Sequence, residues 1–158
     1  MQNQAPAGVI AVGVDGSEGS RRALRWAVDE ARLRRSAIEA VTAWPPRGSE
    51  ARPVEEQATQ ARQRADETAR HVVDGVLRET DDPPPVSYEL VHGDAVEVLV
   101  QLSRRAQLLV VGSHGVSSIR HAALGSVSEA CAMQAACPVV VVPRQAAAEP
   151  GGDAVAQR

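Results

Sequence analysis

Residues 9–20 read VIAVGVDGSEGS, an apolar run that passes directly into a polar turn containing two glycines. The apolar run does not alternate with polar residues, which is typical of a strand covered on both faces of a parallel sheet. Four further short apolar runs follow it along the chain. They are residues 37–44 (AIEAVTAW), 86–91 (VSYELV), 108–111 (LLVV) and 139–142 (VVVV).

Helical patterns separate these apolar runs. Residues 20–35 carry an apolar stripe at helical spacing, and residues 53–77 carry a longer one behind an acidic first turn. Asp94 with Glu97 predicts a capped third helix, and residues 126–129 (SVSE) predict a capping box that opens a fourth. Strands that alternate with helices predict an α/β fold, a single-domain open doubly wound sheet with helices on both faces.

Composition limits the classes of partner. The chain has 158 residues, enough for one domain with a sizeable core, and its net charge of −3 argues against nucleic-acid or acidic membrane partners. All 17 cationic residues are arginine, which excludes a Walker-type phosphate loop and other chemistry that needs a lysine ammonium group. Six arginines between residues 21 and 35, interleaved with acids, predict a solvent-exposed helix face or, alternatively, a partner surface.

Further features bear on location and domain organisation. Residues 1–7 lack the basic and apolar parts of a signal peptide, and no run approaches 18 apolar residues. Cys131 and Cys137 form neither a disulfide framework nor a zinc pattern, and Cys131 is interpreted as a buried apolar residue. We expect a cytoplasmic protein with a flexible segment at 1–7, a domain at 8–143 and a disordered tail at 144–158.

Two glycine-bearing loops are the candidate site, because ligands of open α/β sheets bind beyond the carboxyl ends of the strands. Residues 112–115 (GSHG) follow the fourth apolar run, and residues 125–127 (GSV) come after nine further residues. Glycine permits close approach of backbone N–H groups, and a helix N-terminus adds partial positive charge. Together these loops are suited to a phosphate chain. The alternative is a glycine turn followed by an ordinary capped helix.

The loop after the first run contains Asp15, at the position where the predicted strand ends. A carboxylate there suits a ribose hydroxyl or, through water, a divalent cation. The alternative is that Asp15 or Ser17 caps the following helix. The loop is not a dinucleotide-binding fingerprint, because Asp15 occupies the place of the second glycine.

Residues 12–20 (VGVDGSEGS) and 111–143 (VGSHGVSSIRHAALGSVSEACAMQAACPVVVVP) resemble the universal stress protein family. The nucleotide-binding branch of that family carries glycine, two residues, glycine, nine residues, and then Gly-Ser or Gly-Thr. Here those positions are Gly112, Gly115, Gly125 and Ser126, with the same spacing. The resemblance extends over about residues 8–143.

The resemblance implies five parallel strands in the order 3-2-1-4-5, with ATP between the first and fourth loops. It implies a homodimer formed through the strand edge at residues 138–142, and it leaves open whether Mg²⁺ accompanies the nucleotide. Val41 is expected at the adenine. The residues that it places at the nucleotide are Gly13, Asp15, Val41, Gly112, Ser113, His114, Gly115, Val116, Ser117, Gly125, Ser126 and Val127.

One departure from the family pattern concerns charge. Many relatives have arginine or lysine after the first motif glycine, where this chain has Ser113 and His114. A neutral imidazole compensates a triphosphate less well, so we expect weaker, pH-dependent affinity, with Arg120 and His121 as candidate substitutes. ADP or AMP as the ligand therefore stays open.

The leading interpretation is an ATP-binding regulatory module in the stress response, without catalytic residues or a protein metal site. One alternative is a slow ATP hydrolase or nucleotidyl-transfer enzyme, with His114 or His121 as acid–base and Asp15 on a metal. The other is a dimeric scaffold that binds no nucleotide.

Overall fold

The computed structural model describes residues 5–45, 55–115 and 124–144. Within these ranges strands and helices alternate in the predicted order. The strands are β1 (Val9–Gly13), β2 (Ala37–Trp44), β3 (Val86–His92), β4 (Leu108–Gly112) and β5 (Val139–Val142). The helices are α1 (Glu18–Arg34), α2 (Glu55–Arg78), α3 (Ala95–Ser103) and α4 (Ser126–Gln134). None of these helices is long and apolar enough to cross a membrane.

Some of the sequence predictions concern residues outside the described ranges. Val116 and Ser117 of the predicted site are among them, as are the candidate substitutes Arg120 and His121. The predicted tail beyond residue 144 and the predicted start of the second helix at Pro53 lie outside as well. All of these stay predictions.

The described strands form one parallel sheet in the order β3-β2-β1-β4-β5. Gly13 pairs with Val41 and Gly112 pairs with Val142, so the carboxyl ends of neighbouring strands meet at one edge. This arrangement confirms the fold class, including the strand order. The direction of strand succession reverses between β1 and β4, and this switch point is where open α/β sheets bind their ligands.

The residues of β1 show why this strand is continuously apolar. Ile10 and Val12 pack against α1 and α2 on one face of the sheet. Ala11 lies in a second buried cluster on the opposite face, together with Leu99 of α3 and Cys131 of α4. Because both faces are covered, successive positions along the strand must all be apolar. Cys131 is buried, as predicted.

Of the two predicted helix caps, one is confirmed and one is wrong. Asp94 caps α3 by accepting hydrogen bonds from the backbone N–H groups of Val96 and Glu97. The predicted capping box at residues 126–129 is wrong, because the N-cap of α4 is Gly125, which has no side chain, and no side chain in the described ranges makes the cap bond. Within the described ranges, the start of α4 thus lacks a side-chain cap that would satisfy its N–H groups.

Candidate functional site

A cavity of about 650 Å³ lies at the carboxyl edge of the sheet, where β1, β2 and β4 end. Its volume falls within the range of about 300–1,000 Å³ that is usual for small-molecule sites. Most of the described predicted residues come together in its wall. They are Gly13, Asp15, Val41, Gly112, His114, Gly115, Gly125, Ser126 and Val127.

Ser113 is the described predicted residue that does not line this cavity. It is buried, and its Oγ lies 3.0 Å from Nδ1 of His114. Its carbonyl oxygen accepts hydrogen bonds from the Gly125 N–H at 2.6 Å and the Ser128 hydroxyl at 3.1 Å. These hydrogen bonds connect Ser113, which follows β4, to the start of α4. The Ser113 hydroxyl and carbonyl groups therefore bond within the protein instead of facing the cavity.

Asp15 is held by its own loop. Its Oδ1 accepts hydrogen bonds from the Ser17 backbone N–H at 3.0 Å and from the Ser17 hydroxyl at 2.5 Å. Ser17 is the N-cap of α1, and its hydroxyl oxygen accepts a hydrogen bond from the Ser20 N–H at 3.2 Å. Ser17 thus caps the helix, whereas Asp15 does not and instead lies in the cavity wall.

The first and fourth loops meet where Asp15 faces Gly115. A Cβ atom at Gly115 would lie 2.5 Å from Oδ2 of Asp15, closer than Cβ atoms approach other atoms in proteins. Glycine therefore lets the backbone of the fourth loop lie beside the carboxylate. The two predicted loops form one continuous wall at this point.

A second close approach joins the first loop to α2. Gly16 has a positive φ of 84°, a conformation that favours glycine. A Cβ atom there would lie 2.5 Å from Cγ2 of Thr68, so α2 packs directly on the turn. Thr68 and three neighbours on α2 line the cavity; they are Ala61, Arg64 and Ala65.

The sequence did not predict that residues of α2 line the cavity. Ala61 and Ala65 belong to the apolar stripe of the second helix, and helical spacing is the same for a residue that faces the core and one that faces a cavity. Arg64 had no distinguishing signal. Among the described lining residues it is the one cationic side chain apart from histidine.

The remaining wall is largely apolar. Val41, Leu99 and Val111 are buried against one another on the side of α3 and α4. Each also borders the cavity, and Trp44 at the end of β2 borders it as well. Val41 was predicted, whereas Leu99, Val111 and Trp44 carry only the general signal of core residues.

A polar cluster braces α2 against β3. The Tyr88 hydroxyl donates to Oδ1 of Asp66 at 3.0 Å, and Arg70 Nε donates to Oδ2 at 2.9 Å. The Arg70 guanidinium also lies 4.8 Å from the centre of the Tyr88 ring. The hydrogen bond from Arg70 lowers the pKa of Asp66, and burial raises the pKa of Tyr88. This cluster adjoins Ala65 and so fixes the α2 wall.

The chain is similar in sequence to curated proteins. The chain is 34% identical over 139 residues to the universal stress protein Rv2623 of Mycobacterium tuberculosis (strain ATCC 25618 / H37Rv), covering 84% of this chain and 46% of that protein. It therefore spans about half the length of the curated relatives that it matches. The sequence model of the universal stress protein family matches residues 7–143.

Solved structures of universal stress proteins match this chain in fold. The universal stress protein from Archaeoglobus fulgidus in complex with dAMP matches with a TM-score of 0.63 and 25% identity, over 87% of this chain and 99% of that one. A universal stress protein in complex with cAMP matches with a TM-score of 0.56 and 26% identity, over 88% and 98%. Since the family model matches most of the chain, this protein belongs to the universal stress protein family.

Proposed function

We propose that the cavity binds an adenine nucleotide, ATP foremost, and that its occupancy makes this domain a nucleotide-dependent regulatory module in the stress response. The observation that carries the proposal is the contact of Asp15 with Gly115, which joins the first and fourth loops in one cavity wall. Two structural relatives in complex with dAMP and cAMP support an adenine nucleotide as the ligand class.

Each part of a nucleotide has a matching part of the wall. The apolar surface formed by Val41, Leu99 and Val111 suits the base, with Val41 at the adenine. The Asp15 carboxylate is an acceptor for ribose hydroxyl groups. Backbone N–H groups of the fourth loop and of the start of α4 suit the phosphates, since α4 lacks a side-chain cap among the described residues.

Charge compensation in this site rests on few groups. Arg64 and His114 are the described lining residues that can carry positive charge. The described residues contain no group of three or more His, Cys, Asp or Glu side chains that could hold a metal ion. A Mg²⁺ ion would therefore be held chiefly by phosphate oxygens, with Asp15 as the carboxylate available in the described wall.

The proposal includes a homodimer and a cytoplasmic location. β5 is an edge strand that pairs with β4 on one side, and all of its valines are partly exposed. An apolar strand edge of this kind favours pairing with a second strand. Residues 138–142 are thus the proposed dimer contact, which sedimentation of the purified protein tests directly. Fractionation of cells tests the location.

The test of nucleotide binding starts from the full chain as purified. Acid releases bound small molecules, mass spectrometry identifies them, and calorimetric titration measures the affinities for ATP, ADP and AMP. We expect an adenine nucleotide in the released fraction and a raised melting temperature with added ATP. If no nucleotide is released and none at millimolar concentration shifts the melting temperature, the proposal fails.

A further inference from the structure

A second cavity of about 500 Å³ adjoins the first. The two share Ser17, His114 and Gly115 as lining residues, so they lie side by side at the fourth loop. Beyond the shared residues, the second cavity is lined by Arg22 on α1 and by Arg144 after β5. None of the predicted phosphate contacts involves either arginine.

Arg22 differs from its neighbours on α1. The sequence predicts a solvent-exposed arginine face, and Arg21 and Arg25 both form ion pairs with Glu79. The Nε of Arg22 is instead buried, and it has no hydrogen-bond partner in the described part of the chain. A buried N–H group without a partner is costly, so such a group in a native protein calls for an explanation, for example a bound water molecule or ion.

The charges around the second cavity favour an anion. Two arginines, Arg22 and Arg144, and one acid, Glu18, line the second cavity among the described residues. Guanidinium groups present planar N–H pairs that match phosphate oxygens, and they keep their charge at all physiological pH values. Gly115, which has no side chain, lines both cavities.

We propose that the second cavity is a phosphate subsite, in which Arg22 and Arg144 receive the terminal phosphate of a nucleotide held in the first cavity. The inference rests on the proposed function for the source of the phosphate. The subsite supplies positive charge that many relatives carry directly after the first motif glycine, where this chain has Ser113 and His114, and it makes affinity increase with the number of phosphates. A free pyrophosphate has the same chemistry and is the other possible source.

The experiment measures binding of AMP, ADP, ATP and pyrophosphate by calorimetry to the native chain and to Arg22→Met. The native chain is expected to bind ATP at least about tenfold more tightly than AMP, of which one charge-assisted contact accounts for about tenfold. Arg22→Met should reduce that difference by weakening ATP about tenfold, with AMP affinity unchanged within about twofold. Arg144→Met should show the same selective loss. Arg25→Met, on the same helix, is the matched control and should leave every affinity unchanged.

Three other outcomes are informative. If Arg22→Met weakens AMP and ATP equally, or leaves the preference for ATP intact, the subsite proposal is overturned. If pyrophosphate alone binds the native chain but not Arg22→Met, while no nucleotide binds, the subsite stands with free phosphate compounds as its ligands and the proposed function fails. Circular dichroism and melting curves verify that each variant is folded, and if Arg22→Met is unfolded, Arg144→Met decides.

Discussion

Gly112 at the end of β4 lies against Gly19 of α1 so closely that a Cβ atom on Gly112 would be 2.7 Å from the Gly19 carbonyl carbon. A Cβ atom on Gly19 would in turn overlap the carbonyl oxygen of His114. Backbone therefore meets backbone on both sides of this contact. The pair of glycines sets the distance between the start of α1 and the fourth loop, and with it the position of both cavities.

Gly19→Ala is expected to lower the free energy of unfolding by about 1–3 kcal/mol, because the added methyl group meets backbone that cannot move aside cheaply. Helix propensity alone predicts the opposite, namely that alanine in place of glycine raises the free energy of unfolding. Gly75→Ala in α2 is the control: its Cβ would lie 3.1 Å from the flexible end of Arg21, so a gain of up to about 1 kcal/mol is expected. Urea unfolding measures both, and equal stabilities of Gly19→Ala and the native chain would contradict the prediction.

Gly115→Val is expected to abolish nucleotide binding, with a loss of at least about 100-fold. The side chain would displace Asp15, whose Oδ1 is held by Ser17, and would block approach to the loop backbone. Gly115 is exposed, so stability should change by less than about 0.5 kcal/mol. Titration with ATP checks affinity and urea unfolding checks stability; retained binding would mean that the phosphates lie elsewhere.

Arg64→Met is expected to weaken ATP binding about two- to fivefold, because the exposed guanidinium contributes a solvent-screened attraction to the phosphates. The loss should shrink as salt is added. Arg62→Met, exposed on the same helix and outside the described cavity wall, serves as the control. Equal effects of the two substitutions would show that general charge, rather than the position of Arg64, matters.

Asp66→Asn is expected to show how the stability contributed by the cluster of Asp66, Arg70 and Tyr88 depends on pH. Because Arg70 lowers the pKa of Asp66, the stabilisation is present above the unfolded pKa of about 3.9 and is lost as the pH falls through the lower folded pKa. The variant should therefore melt below the native chain at neutral pH, and the gap should close in acid. Glu67→Gln, exposed beside it, should show no such convergence.

Measurement of phosphate release from ATP distinguishes a regulatory nucleotide-binding protein from an ATP-hydrolysing enzyme. We expect the purified protein to release phosphate from ATP at close to the buffer rate, and His114→Ala to leave that rate unchanged. His114 lines the cavity and its Nδ1 lies 3.0 Å from the Ser113 hydroxyl, which makes it the candidate acid–base in the described wall. A rate well above buffer that collapses in His114→Ala would establish an enzyme instead.

The sequence by itself determined the order of the elements and the two loops of the candidate site. Continuous apolar runs such as residues 9–14 require cover on both faces, which only a sheet between helix layers provides. The glycines of the fourth loop were recognisable because their spacing is fixed relative to the strand and the helix. Backbone geometry of this kind is local, so it leaves a signature in the chain.

Only the tertiary structure decided what each helix face and each loop packs against. Ala65 and Arg64 of α2 border the cavity, Ser113 is used to hold α4, and Arg22 of the arginine-rich helix is turned into a second cavity. Helical spacing tells which residues share a face, but it does not tell whether that face meets a core, solvent or a cavity. That choice depends on the crossing of elements distant in sequence, which folding alone brings together.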